Sequence, residues 1–365
     1  MYYSGLEKKI IQDCLRARAG ERILITGHDF TSDLIESLRQ ELRAIKAVDI
    51  VITWSDRIIV ELIRNLGVKE AALRIMPFFS EKKTFHFLHR EIEADKIIVI
   101  IPPTDNYLDF LSVISYMKPF EDNYLYNLFQ LQRMNVPGLL IDYPFDTKTR
   151  NLLEKEQFDH LLSSYRNAIG VNFQEIGNLN RRIVPFLKFG KEVLIRSDYG
   201  TDLRFIINGR FPCEEEGRLG FQTSFCQLPG GEVFIAPLEE SACGVYMIDI
   251  SDYGFILGMK FQDGVLMDAL DSRGIENDKA RKIIKEMGLL RERLGEFGIG
   301  TNSQSPPLLI GTISEKSLGT VHIALGENRS YGGKNASAIH YDFVSTKNDV
   351  FVDGKKIMEK GRIIV

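Results

Sequence analysis

The first half of the chain repeats one order, in which a short continuous apolar run is followed by a segment with helical spacing. Four such runs are strand candidates: ERILITG (21–27), AVDIVITW (47–54), KIIVIIPP (96–103) and GLLIDYP (138–144). Helical patterns follow the first as FTSDLIESLRQELRAI and the second as DRIIVELIRNLG. Strands that are apolar on both sides must be covered on both faces, so the pattern predicts a doubly wound α/β domain over residues 1–170.

From residue 171 the pattern changes. A connecting helix is predicted at VNFQEIGNLNRRIVPFLKFG, and short alternating segments follow: KEVLIRSDYG, TDLRFIINGR, GEVFIAPLEE, GVYMIDISDYG and FILGMKFQDG. Such segments, broken by Gly, Asp or Asn, are typical of hairpins in a mixed or antiparallel sheet. A further helix is predicted over 277–298 and a closing hairpin at Asp353-Gly354. The sequence therefore predicts a second, β-rich domain over residues 171–365.

Composition excludes several classes of partner. The net charge of -4 and the pI near 6.0 give no basic face for a nucleic acid. The longest apolar run is too short to span a bilayer, and the N-terminus lacks the apolar core of a signal peptide, so no membrane partner is expected. Four cysteines without a CxxC pair argue against a cysteine zinc site and indicate a reduced, cytoplasmic setting. The first strand ends in TGHDF rather than GxGxxG, so no nucleotide site is predicted.

Two histidines of the second half, His322 and His340, are candidate metal ligands. His340 and Asp342 lie two residues apart in SAIHYDFV, and alternate residues of a strand point to one side. An imidazole and a carboxylate would therefore project together. His322 lies in GTVHIALG on the face opposite Val321 and Ile323. By contrast, His86 and His89 are interpreted as a helical pair without a carboxylate at ligand spacing.

Two acidic residues of the same half have apolar neighbours. Glu232 follows a Gly-Gly turn in LPGGEVFIAP, and Glu296 lies between Gly295 and Phe297 in RLGEFGIGTN. A carboxylate in such surroundings reaches water or needs a cation. Singly, each of the five candidates is more often structural. Together, three carboxylates and two imidazoles exceed one tetrahedral zinc and suit two metals about 3.5–4 Å apart that share a carboxylate.

At these residues the chain resembles the aminopeptidase T / aminopeptidase S / PepS family of metallo-aminopeptidases. The matching segments occur in the family's order: DYGTDLRFIINGR (198–210), QLPGGEVFIAP (227–237), LGEFGIGTN (294–302), EKSLGTVHIALG (315–326) and SAIHYDFV (337–344). They cover most of residues 195–345, and the ordered set of five is the specific signal. The first half fits the family's α/β domain in outline.

The resemblance implies a cytoplasmic homodimer that removes N-terminal residues from peptides with a free N-terminus, through a metal-bound hydroxide. It implies two divalent metal ions, Zn, Co or Mn, with Glu296 as the bridging, catalytic ligand. The family's pattern places Glu232 and Asp342 on one metal, and His322 and His340 on the other. Tyr331 matches an active-site tyrosine that stabilises the oxyanion. The loop from His322 to His340 is shorter than the family's, and Gly231 stands where some members carry a second acid.

Two alternatives remain open at the level of sequence. His322, His340 and Asp342 alone would form the 2-His-1-carboxylate triad of a mononuclear non-haem iron enzyme, a ring-cleaving dioxygenase of the 2,5-dihydroxypyridine type. Such a site does not need both Glu232 and Glu296. The other alternative is an inactive protein, or a divergent amide hydrolase, on the same fold.

Overall fold

The computed structural model describes residues 5–54, 65, 78–80, 84–87, 90–101, 137–143, 154–220, 225–249, 257–286, 288–307, 311–337 and 339–365. The chain divides into two compact units. The first comprises Met1–Val171 with Gly217–Gly230, and the second comprises Asn172–Glu216 with Gly231–Val365. The segment Gly217–Gly230 therefore leaves the second half of the sequence to join the first unit.

The helices of the described residues are α1 (Leu6–Lys8, which continues with π geometry through Lys9–Cys14), α2 (Ser32–Ala44), α3 (Lys155–Gly170), α4 (Phe173–Phe189), α5 (Asp278–Glu286) and α6 (Gly311–Glu315). The apolar stripe of α2 is buried at helical spacing through Leu34, Leu38 and Leu42. At the start of α4 the side chain of Asn172 accepts a hydrogen bond from the Gln174 amide (3.0 Å). None of the helices described is long and apolar enough to cross a membrane.

The first strands are β1 (Arg22–His28), β2 (Val48–Trp54), β3 (Phe78–Ser80), β4 (Thr84–Phe87), β5 (Arg90–Glu93), β6 (Lys96–Ile101), β7 (Gly138–Asp142), β8 (Glu192–Arg196), β9 (Asp202–Ile206) and β10 (Cys213–Glu215). The others are β11 (Phe225–Leu228), β12 (Glu232–Ile235), β13 (Cys243–Ile248), β14 (Leu257–Gln262), β15 (Val265–Leu270), β16 (Leu294–Gly300), β17 (Val321–Gly326), β18 (His340–Ser345), β19 (Asp349–Val352), β20 (Lys355–Glu359) and β21 (Arg362–Ile363).

The predicted parallel sheet of the first unit is confirmed. Its order is β11-β7-β6-β1-β2, and every neighbouring pair is parallel. The four predicted strands are β1, β2, β6 and β7, and β11 adds a fifth that sequence reasoning did not anticipate. The helical stretch DRIIVELIRNLG lies, apart from Asn65, outside the described residues.

A small antiparallel sheet, β3-β4-β5, corrects one expectation in the first unit. His86 was interpreted as part of a helical pair, but it lies in β4 and pairs with Glu91 of β5. The reason is the β-branched and aromatic content of the segment Thr84–Phe87, which favours a strand over a helix. His89 lies outside the described residues.

The second unit contains two antiparallel sheets. One has the order β15-β14-β13-β9-β8-β19-β20-β21, and the other β10-β12-β16-β17-β18. They pack face to face, with the rings of Phe205 and Phe297 5.3 Å apart. The buried hydroxyl of Tyr246 donates to the Val321 carbonyl at 2.8 Å. The predicted hairpin at Asp353-Gly354 joins β19 to β20.

The helix predicted over residues 277–298 is wrong in its second half. Helix α5 ends at Glu286, and the chain then turns through Gly288 and Arg291, both with a positive φ. Helical geometry cannot continue through such positions, although the apolar spacing does. The segment that begins at Leu294 is the strand β16. Glu296 therefore lies in a strand rather than at the end of a helix.

Replacing Phe297 tests the packing of the two sheets. Phe297 is fully buried, so Phe297→Ala is expected to lower the free energy of unfolding of the second unit by about 3–5 kcal/mol. Phe211 is 71% exposed, and Phe211→Ala is the matched control with an expected change within about 0.5 kcal/mol. Denaturant titration followed by circular dichroism measures both. Equal losses in the two variants would contradict this packing.

Candidate metal centre

All five predicted ligands lie on strands of the five-stranded sheet in the second unit. The register places Gly298 opposite His322 and Ala324 opposite Asp342. Directly opposed residues of an antiparallel pair point to the same face. The five side chains therefore share one face, while alternate residues such as Phe297 point to the other sheet.

A bulge at Gly295 aims Glu296 at this face. The register pairs Leu294 with Leu325 but Glu296 with Ala324, so one extra residue stands between them. Without it, Glu296 would point to the same side as Leu294, into the packing between the sheets. A Cβ at Gly295 would lie 2.7 Å from the carbonyl oxygen of Gly326, so the bulge requires glycine.

The imidazole of His322 lies over Gly298 of the neighbouring strand. A Cβ on Gly298 would be 2.0 Å from Nε2 of His322, so only glycine leaves this space. From here Nε2 is 3.2 Å from Oε1 of Glu296 and 3.3 Å from Oε2 of Glu232. The ring is fully buried. His322 therefore links the acids of β12 and β16.

His340 and Asp342 form the other side of the cluster. Nε2 of His340 is 3.7 Å from Oε2 of Glu296 and 3.7 Å from Oδ2 of Asp342. Nδ1–H of His340 donates to the backbone carbonyl of Glu327 at 2.8 Å. This bond fixes the ring and leaves Nε2 as the ligand atom, as in most metal-binding histidines.

The ligand atoms form two groups that share one residue. Glu232, Glu296 and His322 make one group and Glu296, His340 and Asp342 the other, with the atoms of each group within 4.8 Å of one another. The shared residue is Glu296, the expected bridge. The expected division of the other four is different: the structure groups Glu232 with His322, and His340 with Asp342. His340 and Asp342 lie on the same strand, β18, whereas Glu232, Glu296 and His322 lie on three consecutive strands of the sheet, β12, β16 and β17.

A buried lysine stands at the edge of the cluster. Nζ of Lys316 is 2.6 Å from Oε1 of Glu232, 2.7 Å from Oε1 of Glu315 and 4.0 Å from Oε2 of Glu215. Burial opposes its charge, but the carboxylates outweigh burial and raise the pKa of Lys316 well above its usual value. Lys316 is therefore a permanent ammonium beside the first ligand group.

The electrostatic field of the carboxylates stabilises protonated groups in the cluster. Burial disfavours the imidazolium of His322, but the hydrogen bond to Glu296 and the charge of Glu232 outweigh it and raise its pKa to about 9. Burial, then the charge of Glu315, raises the pKa of Asp342 well above its usual value. Burial would also raise the pKa of Glu296, but His322 and His340 lower it. Metal cations would relieve the same repulsion between carboxylates.

Tyr331 closes one side of the cluster. Its ring meets those of Phe234 and His340 edge-on, with centroids 5.3 Å and 6.2 Å away. Its hydroxyl lies 3.3 Å from the carbonyl oxygen of Glu327 and 3.5 Å from that of Gly295. Burial, then the charge of Glu296, raises the pKa of Tyr331 well above its usual value, so the phenol stays a neutral donor.

Ion pairs hold the Tyr331 loop, which runs from Glu327 to Ile339. Arg210 donates to both carboxylate oxygens of Glu239 at 2.7 Å and to the carbonyl of Gly332. The Lys334 amide also donates to Glu239, at 2.6 Å. The short loop is thereby held at two neighbouring points.

Sequence reasoning did not identify the charged residues around Lys316. Glu315 and Lys316 lie in the quoted segment EKSLGTVHIALG, but adjacent opposite charges usually indicate a solvated surface. Glu215 lies in a run of three acids, CEEEG, which also suggests solvent. The one signal in the sequence that could have found Glu215 is the alternation of side chains along a strand. In β10 this alternation places Glu215 opposite Glu232, on the face that carries the candidate ligands.

Comparisons with known proteins show the fold. No protein-family model matches the chain, and no curated protein matches it in sequence. Among solved structures, wild-type AmpT (aminopeptidase T) from Thermus thermophilus matches with a TM-score of 0.68 and 17% identity over 100% of both chains. A 2,5-dihydroxypyridine dioxygenase from Pseudomonas putida KT2440 matches with a TM-score of 0.64 and 12% identity over 99% of this chain and 96% of that chain. At these identities, the likeness establishes the fold alone. The activity has to be argued from the residues of the site.

Gly298→Ala tests the position of His322. The added methyl group would collide with the imidazole and push it away from Glu232 and Glu296. We expect Co²⁺ affinity, measured by isothermal titration calorimetry, to fall by about 10- to 100-fold. A Cβ at Gly170 meets nothing within 4 Å, so Gly170→Ala is the matched control. Unchanged Co²⁺ affinity in a folded Gly298→Ala variant would contradict the geometry.

Proposed function

We propose that this protein is a metal-dependent aminopeptidase with two divalent cations, held by Glu232, Glu296, His322, His340 and Asp342. The observation that carries the proposal is the sharing of Glu296 between two ligand groups. A carboxylate with one oxygen toward each group is the usual bridge of a two-metal hydrolase. The fold likeness to AmpT agrees with this assignment.

The residues present fit divalent cations. Oε2 of Glu232 and Oδ1 of Asp342 are buried, and neither has a hydrogen-bond partner among the described residues. Buried polar atoms without hydrogen bonds are costly unless another ligand contacts them. Carboxylate oxygens and imidazole nitrogens are ligands that Zn, Co, Mn and Fe all accept.

The charge of the cluster supports two cations rather than one. The cluster contains one ammonium, that of Lys316, and five carboxylates, which belong to Glu215, Glu232, Glu296, Glu315 and Asp342. When both imidazoles are neutral, as metal ligands must be, four negative charges remain. Two divalent cations carry the opposite charge, so the pair would neutralise the cluster.

Each part of this site has its own role in the proposed peptide hydrolysis. Bound divalent cations acidify water and polarise a carbonyl. Glu296 fixes the spacing between the two ligand groups, and Glu327 holds His340 through its backbone carbonyl. Tyr331 keeps its phenolic proton, and we propose that it donates to the oxygen that becomes negative as the peptide carbonyl is attacked.

The dioxygenase is the competing function, and its triad is divided between the two ligand groups. His322 belongs to one ligand group, whereas His340 and Asp342 belong to the other. A mononuclear iron site would need all three around one ion, and it would leave Glu232 and Glu296 without a role. The fold likeness to the 2,5-dihydroxypyridine dioxygenase is the observation in its favour.

Metal content tests the bridge. The wild-type protein is expected to bind two Co²⁺ or Zn²⁺ ions per chain, measured by elemental analysis after gel filtration. Glu296→Ala should lose both, because both groups use this carboxylate. Glu240 is exposed, so Glu240→Ala is the control and should retain two ions. One iron per chain, retained in Glu296→Ala, would instead favour the dioxygenase.

Hydrolysis of leucine p-nitroanilide tests the activity and the part of Tyr331. The Co²⁺- or Zn²⁺-loaded protein should release p-nitroaniline from the free amine and not from its N-acetyl derivative. Loss of one oxyanion donor costs about 10²- to 10³-fold in kcat, so Tyr331→Phe should lower kcat with little change in KM. Tyr199→Phe, in the turn between β8 and β9, is the control. Oxygen uptake with 2,5-dihydroxypyridine and no anilide cleavage would overturn the proposal.

A further inference from the structure

Lys316 forms an ion pair with a ligand that belongs to the first group alone. Its Nζ is 2.6 Å from Oε1 of Glu232, which is a ligand of the first group. Asp342, in the second group, has His340 as its ion-pair partner, and no lysine or arginine of the described residues lies within ion-pair distance of it. The first group therefore has a fixed ammonium at ion-pair distance from one of its ligands, and the carboxylates of Glu315 and Glu215 pair with the same ammonium.

The position of Lys316 is set by its surroundings. The backbone of Lys316 accepts a hydrogen bond from the Asn302 amide at 2.8 Å, and the side chain is almost fully buried. Its ammonium also binds Glu315 at 2.7 Å, so it is held between two carboxylates. The ammonium of Lys316 therefore lies beside Glu232 and away from solvent.

We propose that Lys316 makes the two metal subsites unequal. The subsite of Glu232, Glu296 and His322 binds its cation more weakly than the subsite of Glu296, His340 and Asp342. This inference rests on the proposed two-metal function and adds the order in which the subsites fill. Lys316 acts through Glu232 and is a positioning residue rather than a catalytic one.

Two effects of the ammonium weaken cation binding at the subsite of Glu232, Glu296 and His322. Lys316 uses one oxygen of Glu232, which leaves Oε2 as the oxygen toward His322. It also repels a dication at that subsite, since charges interact strongly where water is excluded. The side chains of His340 and Asp342 come from β18, three strands away from β12 in the sheet, so their subsite experiences less of this repulsion.

Calorimetric titration of the metal-free protein with Co²⁺, together with its visible absorption, tests the inference. The wild-type protein should show two unequal binding steps. Lys316→Gln removes the charge, so its weaker step should tighten by roughly 10- to 100-fold while the tighter step changes less. Lys96 is the matched control, since its ammonium pairs with Glu21 at 2.8 Å in the first unit. Lys96→Gln should leave both steps unchanged.

Two further variants assign the steps in a protein that keeps Lys316. Asp342→Asn should remove the tighter step and Glu232→Gln the weaker one, so the inference can be tested even where Lys316→Gln does not fold. A single bound ion that becomes two in Lys316→Gln would support it. Equal steps in the wild type, the reverse assignment, or a weaker second step in Lys316→Gln would overturn it. Absence of any bound metal in the wild type would overturn the two-metal function as well.

Discussion

Repulsion among buried carboxylates is the constraint on which the second unit depends. Glu232 and Glu296 are both nearly fully buried, and Asp342 faces the same cluster. Burying unpaired charges would cost several kcal/mol per group, so the fold must supply cations beside them. Lys316 supplies one positive charge. The proposed metal pair supplies the others, and the raised pKa of His322 reflects the same field.

The five-stranded sheet holds this cluster by leaving space at selected positions. Gly298 leaves room for the imidazole of His322, and the bulge at Gly295 turns Glu296 toward the ligand face. The opposite face packs Phe297 against the other sheet, which fixes the strands that carry the ligands. The same strands thus provide a rigid apolar face and a charged face, as sites built on regular elements require.

Fold likeness alone leaves two reactions open, because the chain resembles both AmpT and a dioxygenase along its length. The ligand geometry favours one of them. His322 groups with Glu232 rather than with His340 and Asp342, and Glu296 belongs to both groups. A function on a shared fold is therefore argued from the site, and here the arrangement of charges supports two cations.

The sequence by itself determined the parallel strands of the first unit and the ligand residues as candidates, because alternation and apolar runs are local properties of the chain. It misplaced Glu296 at the end of a helix, since the apolar spacing of α5 continues past the turn at Gly288. Only the tertiary structure decided which candidate ligands lie together, and only it revealed Lys316. The physical reason is that strand register and burial bring together residues far apart in sequence, and no local pattern records the charge of a neighbour across the sheet.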